Sequence, residues 1–476
     1  MAAIAHQVPD IRSILDKQRT AFSLEGYVSR EVRIARLQSV IDLLVKYKAP
    51  LCAAMESDFE GRHQGFSMVN DILGSLSVLK HARDKVGEWM QSEDRAPFPP
   101  YGQLGAKAWV MYQPKGCVGI IGTWNAPVFT VLGPLASVLA AGNRAILKPS
   151  EIAPNTAATL ARAFSDDIDP LEIAVITGGG DVAQQFTAQP FDHIVFTGSA
   201  SVAKSVMRNA AENLVPLTLE LGGKSPTIIS RSANLQTVAY SIAVGKSANS
   251  GQFCCSPDVV YVPREWREEF ILALRKSYEK LLPRTTGNLD MTSVINARHL
   301  ERVEVCISDA ARTGARIETV GEKPNDLKDR RRPLTLVVDP PVDSKIMREE
   351  IFGPALVMLT YDTVENVIAD INSRPRPLSL YYFGEDQVEE QKVLRMTISG
   401  GVTINAVMFH PGMLDAPFGG IGNSGMGHYN GREGFIEFSH TRTIFKAGPH
   451  DLRREWGLLP PYSEQFFAVM DSQATA

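Results

Sequence analysis

The 476-residue sequence has no long apolar run. Its most hydrophobic stretch, Val128 to Ala141, is interrupted by Gly133, Pro134 and Ser137. It falls short of the roughly 20 residues that a bilayer-spanning helix needs. Met1 to Asp10 lacks a basic start followed by an apolar block, so the reading is no secretory signal and a cytoplasmic protein. Cysteine is scarce: Cys52, Cys117, Cys254, Cys255 and Cys306 make an odd set of five, which predicts reduced thiols. There is no C-x-x-C, and the nine histidines form no ligand-spaced pair with a cysteine, which argues against a metal site. Charge of one sign is also missing. A formal net charge of -4 gives no reason to expect nucleic acid or an acidic membrane as partner. The short run Arg330-Arg331-Arg332 reads as a solvated loop. Internal repeats, low-complexity tracts and the Gly-x-Gly-x-x-Gly dinucleotide fingerprint are absent as well.

What is present is an ordinary globular composition, 44% hydrophobic and 21% charged, in a chain long enough for two or three domains. Helical spacing of Ile34, Leu37, Ile41, Leu44 and Val45, with Arg33, Arg36 and Lys46 between them, predicts a helix from about Arg30 to Phe59. A second helix is expected from Val69 to Met90, a break at Pro97 to Pro100, and a strand over Lys107 to Gln113. From Gly116 onward short apolar runs alternate with helical segments: Val118–Ile121, Ala145–Leu147, Ile173–Ile176 and His193–Phe196. This pattern implies a parallel sheet covered on both faces. The alternation resumes after Gly223 with Thr227–Ile229 and Val259–Val262, suggesting a second α/β domain, and Arg442–Lys446 reads as a late strand.

Two segments carry the chemistry. Glu220 lies between Leu219 and Leu221 and precedes two glycines, a poor setting for a solvated charge. Apolar neighbours push a carboxylate pKa upward, toward a base useful near neutrality. Cys254, in Gly251-Gln252-Phe253-Cys254-Cys255-Ser256-Pro257, sits among residues that favour irregular backbone and exposure of a side chain to a cleft. A lone cysteine is usually a small buried hydrophobe; this context favours a nucleophile. Asn125, in Gly122-Thr123-Trp124-Asn125-Ala126-Pro127, follows a predicted strand and offers a neutral amide donor for an oxyanion. Phe196-Thr197-Gly198-Ser199 ends another strand and opens a helix, a natural pyrophosphate site. Lys148-Pro149-Ser150-Glu151 follows a third strand. Glu349-Glu350-Ile351-Phe352-Gly353-Pro354 by itself reads as an ordinary loop. The glycine-rich block Pro417 to Gly427 contains Phe418, Ile421 and Met426, which argue for a packed loop rather than a flexible one.

In order and spacing, from about Arg30 to Phe445, these segments resemble the aldehyde dehydrogenase superfamily, its class 3 branch, and especially the coniferyl aldehyde dehydrogenases. The resemblance implies Cys254 as nucleophile, Glu220 as base and Asn125 as oxyanion donor. It implies NAD, with NADP as a second possibility, held by Thr123, Trp124, Lys148, Glu151, Gly198, Ser199, Leu221, Glu350 and Phe352, and no metal. The implied fold has two parallel-sheet α/β domains and a small β oligomerisation arm. Residues 1–95 and 116–222 would bind NAD(P), 223–436 would be catalytic, 96–115 and 437–447 would form the arm of a homodimer, and 448–476 a tail. The implied activity is oxidation of an aldehyde to the acid, with an aryl or cinnamyl aldehyde as first choice and a medium- or long-chain aliphatic aldehyde as alternative. An acyl-transferring oxidation to CoA and a non-catalytic protein are the remaining readings. The family's Pro-Trp-Asn-aromatic-Pro appears here with Thr123 and Ala126, which predicts an altered substrate tunnel. Asn405-Ala406 and His410-Pro411-Gly412 also depart from the pattern near the expected entrance.

Overall fold

A computed structural model describes residues 10–322 and 329–474. The expectation about a leader rests on residues 1–9, outside the described residues. Two open sheets and a small third one organise the chain. The first sheet has six strands, in the order Gly425–Met426, Leu217–Glu220, His193–Thr197, Cys117–Ile121, Arg144–Lys148, Ile173–Val175. The second has seven: Arg316–Val320, Leu334–Val338, Ala355–Tyr361, Val259–Pro263, Pro226–Ile229, Ser379–Phe383, Gly401–Ile404. Both are parallel except for one antiparallel edge strand each, Gly425–Met426 and Arg316–Val320. The short apolar runs in the sequence become strands buried along their whole length, as at Cys117–Ile121 and Val259–Pro263, because helices cover both faces. This is the expected α/β class.

The third sheet is antiparallel and joins Glu93–Arg95, Lys107–Pro114 and Ser439–Lys446. Its first strand lies ahead of residue 96, the expected start of the arm. The predicted helix over Arg30 to Phe59 forms with those bounds, capped by the Ser29 hydroxyl accepting from Val32 N. Its arginines behave unlike a solvated face. Arg33 is buried and donates to Ala140 O at 2.9 Å, and Arg36 is buried between Glu25 and Glu172. The second expected helix is divided: a π-helical turn over Met68–Leu73 leads into an α-helix over Gly74–Trp89. The apolar stretch near Val128 becomes the buried helix Phe129–Ala140. Among the described residues no helix is long and apolar enough to cross a membrane.

The glycine-rich block is packed, as expected, but not through all its apolar side chains. Phe418 is buried, whereas Ile421 and Met426 are exposed. The packing is done by backbone. Gly425 pairs with Glu220 across the sheet edge, Leu221 N donates to Ser424 O at 3.0 Å, and a side chain at Gly425 would strike Leu219 O. Gly425 also holds a φ of +147°. Gly425→Ala should therefore lower stability by about 1–3 kcal/mol, measured by urea unfolding. An unchanged midpoint would show that the edge strand is not fixed in this way.

Candidate active site

The carboxyl ends of the first sheet face the amino ends of the second, and the predicted chemistry collects between them. In the first sheet the strand order reverses at Cys117–Ile121, which lies between His193–Thr197 and Arg144–Lys148. Ligands of open α/β sheets bind beyond the carboxyl ends at such a switch point. Gly122 to Asn125, Thr197 to Ser199, Lys148 and Glu220 all leave the sheet there. From the second sheet come the segments preceding Pro226, Val259 and Ala355, which carry Gly223, Cys254 and Glu350.

Cys254 is presented by a tight, irregular turn. Asn249, Ser250 and Gly251 have φ of 48°, 53° and 70°. Left-handed backbone costs a non-glycine residue roughly 1–2 kcal/mol. Only a glycine fits at 251, because an added Cβ would lie 2.5 Å from Gly353 O. The Cys254 thiol lies against Cys255 and Glu220. The Cys255 contact, burial and the nearby Glu220 carboxylate, in that order, hold its thiol well above the ordinary range. Burial pushes Glu220 up to about 7, offset in part by the neighbouring Cys254 thiol. The base expected from its apolar flanks is thus 2% exposed and beside the thiol. Glu220 Oε1 is left without a partner.

Asn125 is buried at the same place. Its Nδ2 donates to Gln252 O at 3.1 Å, and its backbone O accepts from Arg62 Nη1 at 3.0 Å and Asn249 Nδ2 at 3.1 Å. An amide nitrogen has two N–H groups, so one remains for a ligand. Gln252, two residues before the cysteine, is a clamp: Nε2 donates to Asn249 O and Ser293 O, and Oε1 accepts from Ile295 N. Ala126, the departure expected to alter the tunnel, lies beside Asn125. Ala126, Phe253 and Cys255 pack with Phe66, Phe129 and Met408 into an aromatic cluster.

The cofactor candidates line the opposite side. Trp124 packs edge-on against Phe352, ring centroids 5.3 Å apart, beside Phe59 and Ile295. Lys148 is buried and donates to Glu151 Oε2 at 3.0 Å. Thr123 N donates to Thr130 Oγ1, Gly198 N to Glu220 O, and Leu221 N to Ser424 O. Ser199 caps the helix Ala200–Ala211 by accepting from Val202 N, so its hydroxyl is already engaged. Glu350 is pushed up to about 8, chiefly by burial and then by Asp258, offset in part by the nearby Gly223 backbone amide. Buried polar atoms without partners mark this side: Thr197 Oγ1 and Glu350 Oε1. Such atoms are costly unless a polar ligand completes them, and these residues fit a nicotinamide dinucleotide. Among the described residues no cluster of three or more His, Cys, Asp or Glu side chains is placed to hold a metal ion.

One sequence expectation changes. Arg330, Arg331 and Arg332 do not form a solvated loop, since their side chains are only 16%, 13% and 14% exposed. Arg330 donates to Phe59 O, Val294 O and Ile295 O, and Arg331 to Met291 O, so the run fastens the Phe59–Arg62 turn to the segment that holds Gln252. Sequence alone cannot separate this from a surface run, because the acceptors are main-chain carbonyls from distant positions. His410 is an anchor. Its Nδ1 pairs with Thr403 Oγ1 at 2.7 Å and its Nε2 with Ser379 Oγ at 3.1 Å, while burial lowers its pKa to about 4 and keeps the ring neutral. It ties the His410–Gly412 turn to two strands and leaves Phe409 exposed. Arg62, Asp71 and Asn249 had no distinguishing signal in the sequence.

The aldehyde dehydrogenase family model matches residues 3–444. The chain is 45% identical to the probable coniferyl aldehyde dehydrogenase of Caulobacter vibrioides over 95% of its length and 94% of the relative's. It is 42% identical to the coniferyl aldehyde dehydrogenase of Pseudomonas sp. strain HR199, covering 96% and 95%. The substrate-bound structure of Staphylococcus aureus AldH superposes with a TM-score of 0.89 at 32% identity, over 98% of this chain and 100% of that one. A half-buried cysteine beside a buried glutamate, between two sheets of this order and with full-length similarity of this extent, leaves one conclusion: the chain belongs to the aldehyde dehydrogenase family and is an NAD(P)-dependent aldehyde dehydrogenase.

Proposed function

We propose that the enzyme oxidises an aryl or cinnamyl-type aldehyde, with coniferaldehyde as representative, to the carboxylic acid. The observation that carries the mechanism is the placement of the Cys254 thiol beside the buried Glu220 carboxyl. Cys254 Sγ, its proton released to solvent, attacks the aldehyde carbon as the thiolate. The free N–H of Asn125 Nδ2 and the backbone N–H of Cys254 hold the oxyanion of the tetrahedral adduct. NAD(P), when bound, would supply the hydride acceptor for oxidation of this adduct to the acyl level. A thioester then remains on Cys254, and Glu220 activates water to release the acid. Thr123, Trp124, Lys148, Glu151, Gly198, Ser199, Leu221, Glu350 and Phe352 are the residues proposed to hold the cofactor.

The aryl preference is supported by the cluster of Phe66, Phe129, Phe253 and Met408 around Ala126 and Cys255, which offers flat apolar surfaces to a planar ring. The names of the two coniferyl relatives point the same way. The test is kcat/KM for coniferaldehyde beside dodecanal on one purified batch. Coniferaldehyde should be preferred by about 10-fold or more, one CH₂-scale pocket contact being worth roughly that. Preference for dodecanal would make the enzyme an oxidiser of aliphatic aldehydes. Run with NADP in place of NAD, the same assay tests the proposed NAD preference, which rests on the Glu151 carboxylate beside Lys148 repelling a 2′-phosphate. Equal efficiency would refute it.

The sheets support a functional division, with residues 1–95 and 116–222 binding the cofactor and 223–436 carrying catalysis. A single-residue exchange at Glu151 that altered the KM for aldehyde but not for cofactor would contradict it. Ser439–Lys446 is an edge strand with Phe445 exposed and stacked on exposed Phe98, centroids 5.6 Å apart. Such an edge needs cover, and a second copy paired along residues 96–115 and 437–447 provides it; a monomeric mass by light scattering would refute the homodimer. Cytoplasmic residence is proposed from five unpaired cysteines, and export of the native protein in cell fractionation would contradict it.

A further inference from the structure

The side chains of Arg62 and Asp71 form an ion pair that is fully buried, both 0% exposed. A buried pair contributes little net stability, because desolvation offsets the attraction. This one is not even fully satisfied, since Arg62 Nε has no partner. Its geometry suggests what it does. Arg62 Nη2 donates to Asp71 Oδ2, and Arg62 Nη1 donates to Asn125 O at 3.0 Å. Asp71 Oδ1 accepts from Val128 N at 3.1 Å and Phe129 N at 3.3 Å. These N–H groups open the helix Phe129–Ala140, whose own N-cap, Val128, supplies no side-chain acceptor. One ion pair therefore holds both ends of the turn from Asn125 to Phe129. Asp71 reaches it from the π-helical turn Met68–Leu73, a distortion that occurs often at functional sites. The Arg62 guanidinium lies over two rings, 4.9 Å from that of Phe59 and 5.0 Å from that of Phe66. Phe59 belongs to the cluster of Trp124 and Phe352, and Phe66 to that of Phe253 and Met408.

We propose that Arg62 and Asp71 are positioning residues that fix the Asn125 turn, so that Asn125 Nδ2 meets the oxyanion formed on Cys254. The proposal rests on the reading of Asn125 as oxyanion donor. Neither residue touches substrate. Arg62 sets the backbone of Asn125 from one side, with Asn249 bonding the same carbonyl, and Asp71 pins the turn at its other end. Displacement by about 1 Å from productive geometry can cost on the order of 100-fold in rate.

The test is a double-mutant cycle on the full-length enzyme with NAD, using Arg62→Lys, Asn125→Ala and their combination. Arg62→Lys keeps a cation for Asp71 but loses the second nitrogen that reaches Asn125. It should lower kcat/KM about 10- to 100-fold, mainly through kcat, while alkylation of Cys254 by iodoacetamide, which needs no oxyanion donor, keeps its wild-type rate. In the Asn125→Ala background the same substitution should cost nothing further. An equal loss in both backgrounds would assign the pair to general stability and overturn the proposal. Wild-type activity of Arg62→Lys beside a crippled Asn125→Ala would overturn it too. Full activity of Asn125→Ala would instead remove the oxyanion assignment itself, so the two failures are distinguishable. Asp71→Asn, which preserves shape, is the second probe with the same expected pattern. Failure of both variants to fold would make the pair a structural plug and end the proposal.

Discussion

Cys254→Ala should abolish aldehyde oxidation, lowering kcat on the order of 10⁵- to 10⁶-fold, the scale on which loss of an enzyme nucleophile acts. No neighbouring thiol can substitute. Cys255 is buried, and its carbonyl is tied to the Tyr381 hydroxyl, which turns its backbone into the second sheet. The variant should still bind cofactor, because the proposed cofactor side, built on Trp124, Phe352, Lys148 and Glu350, does not depend on the thiol. Quenching of tryptophan fluorescence by NADH should therefore persist while turnover is lost. Turnover by Cys254→Ala at more than about one part in a thousand of wild type would refute the covalent route.

Glu220→Gln carries the second large effect, a fall in steady-state kcat of about 10²- to 10⁴-fold from loss of the general base. The fall should lie in thioester hydrolysis. A stopped-flow trace at 340 nm should then show one equivalent of NADH released in a burst, followed by a slow phase, and absence of the burst would move the role of Glu220 to thiol activation alone. The pH dependence has a definite sign. Glu220 titrates near 7, so it is an effective base above that pH and is protonated below it. The kcat of the wild type should fall as pH drops through 7, and Glu220→Gln should lose that limb. Stability runs the other way. The folded carboxyl holds its proton more tightly than the unfolded one, so its contribution is full below the usual glutamate range and is lost as pH rises through 7. Glu220→Gln should therefore melt higher than wild type at pH 8 while working far more slowly. A lower melting temperature at pH 8 would contradict the burial of an ionisable base.

Much of this site was legible because its signals are local. Strand-length apolar runs followed by Gly-Thr-Trp-Asn, Lys-Pro-Ser-Glu or Thr-Gly-Ser-Ala state both the element and where it ends. Glu220 between two leucines signalled a shifted carboxylate, and burial raises it to about 7. Other parts were illegible for one shared reason: their partners are remote. Arg33, Arg62 and Arg330 look like surface charges in the sequence, yet each is buried or half-buried against main-chain carbonyls from distant segments. The anchoring of His410 by two hydroxyls from separate strands is illegible for the same reason.

By itself, then, the sequence determined the α/β class, the family, and a cysteine and a glutamate as the candidate pair, because periodicity and motif chemistry are properties of neighbouring residues. Only the tertiary structure decided which face of the Asn125 turn is held and by what. It alone placed Gly425 against Glu220 and filled the space beside Ala126 with aromatic rings. Hydrogen bonds and packing between segments far apart in the chain depend on how the two sheets meet, and no window of sequence contains both partners.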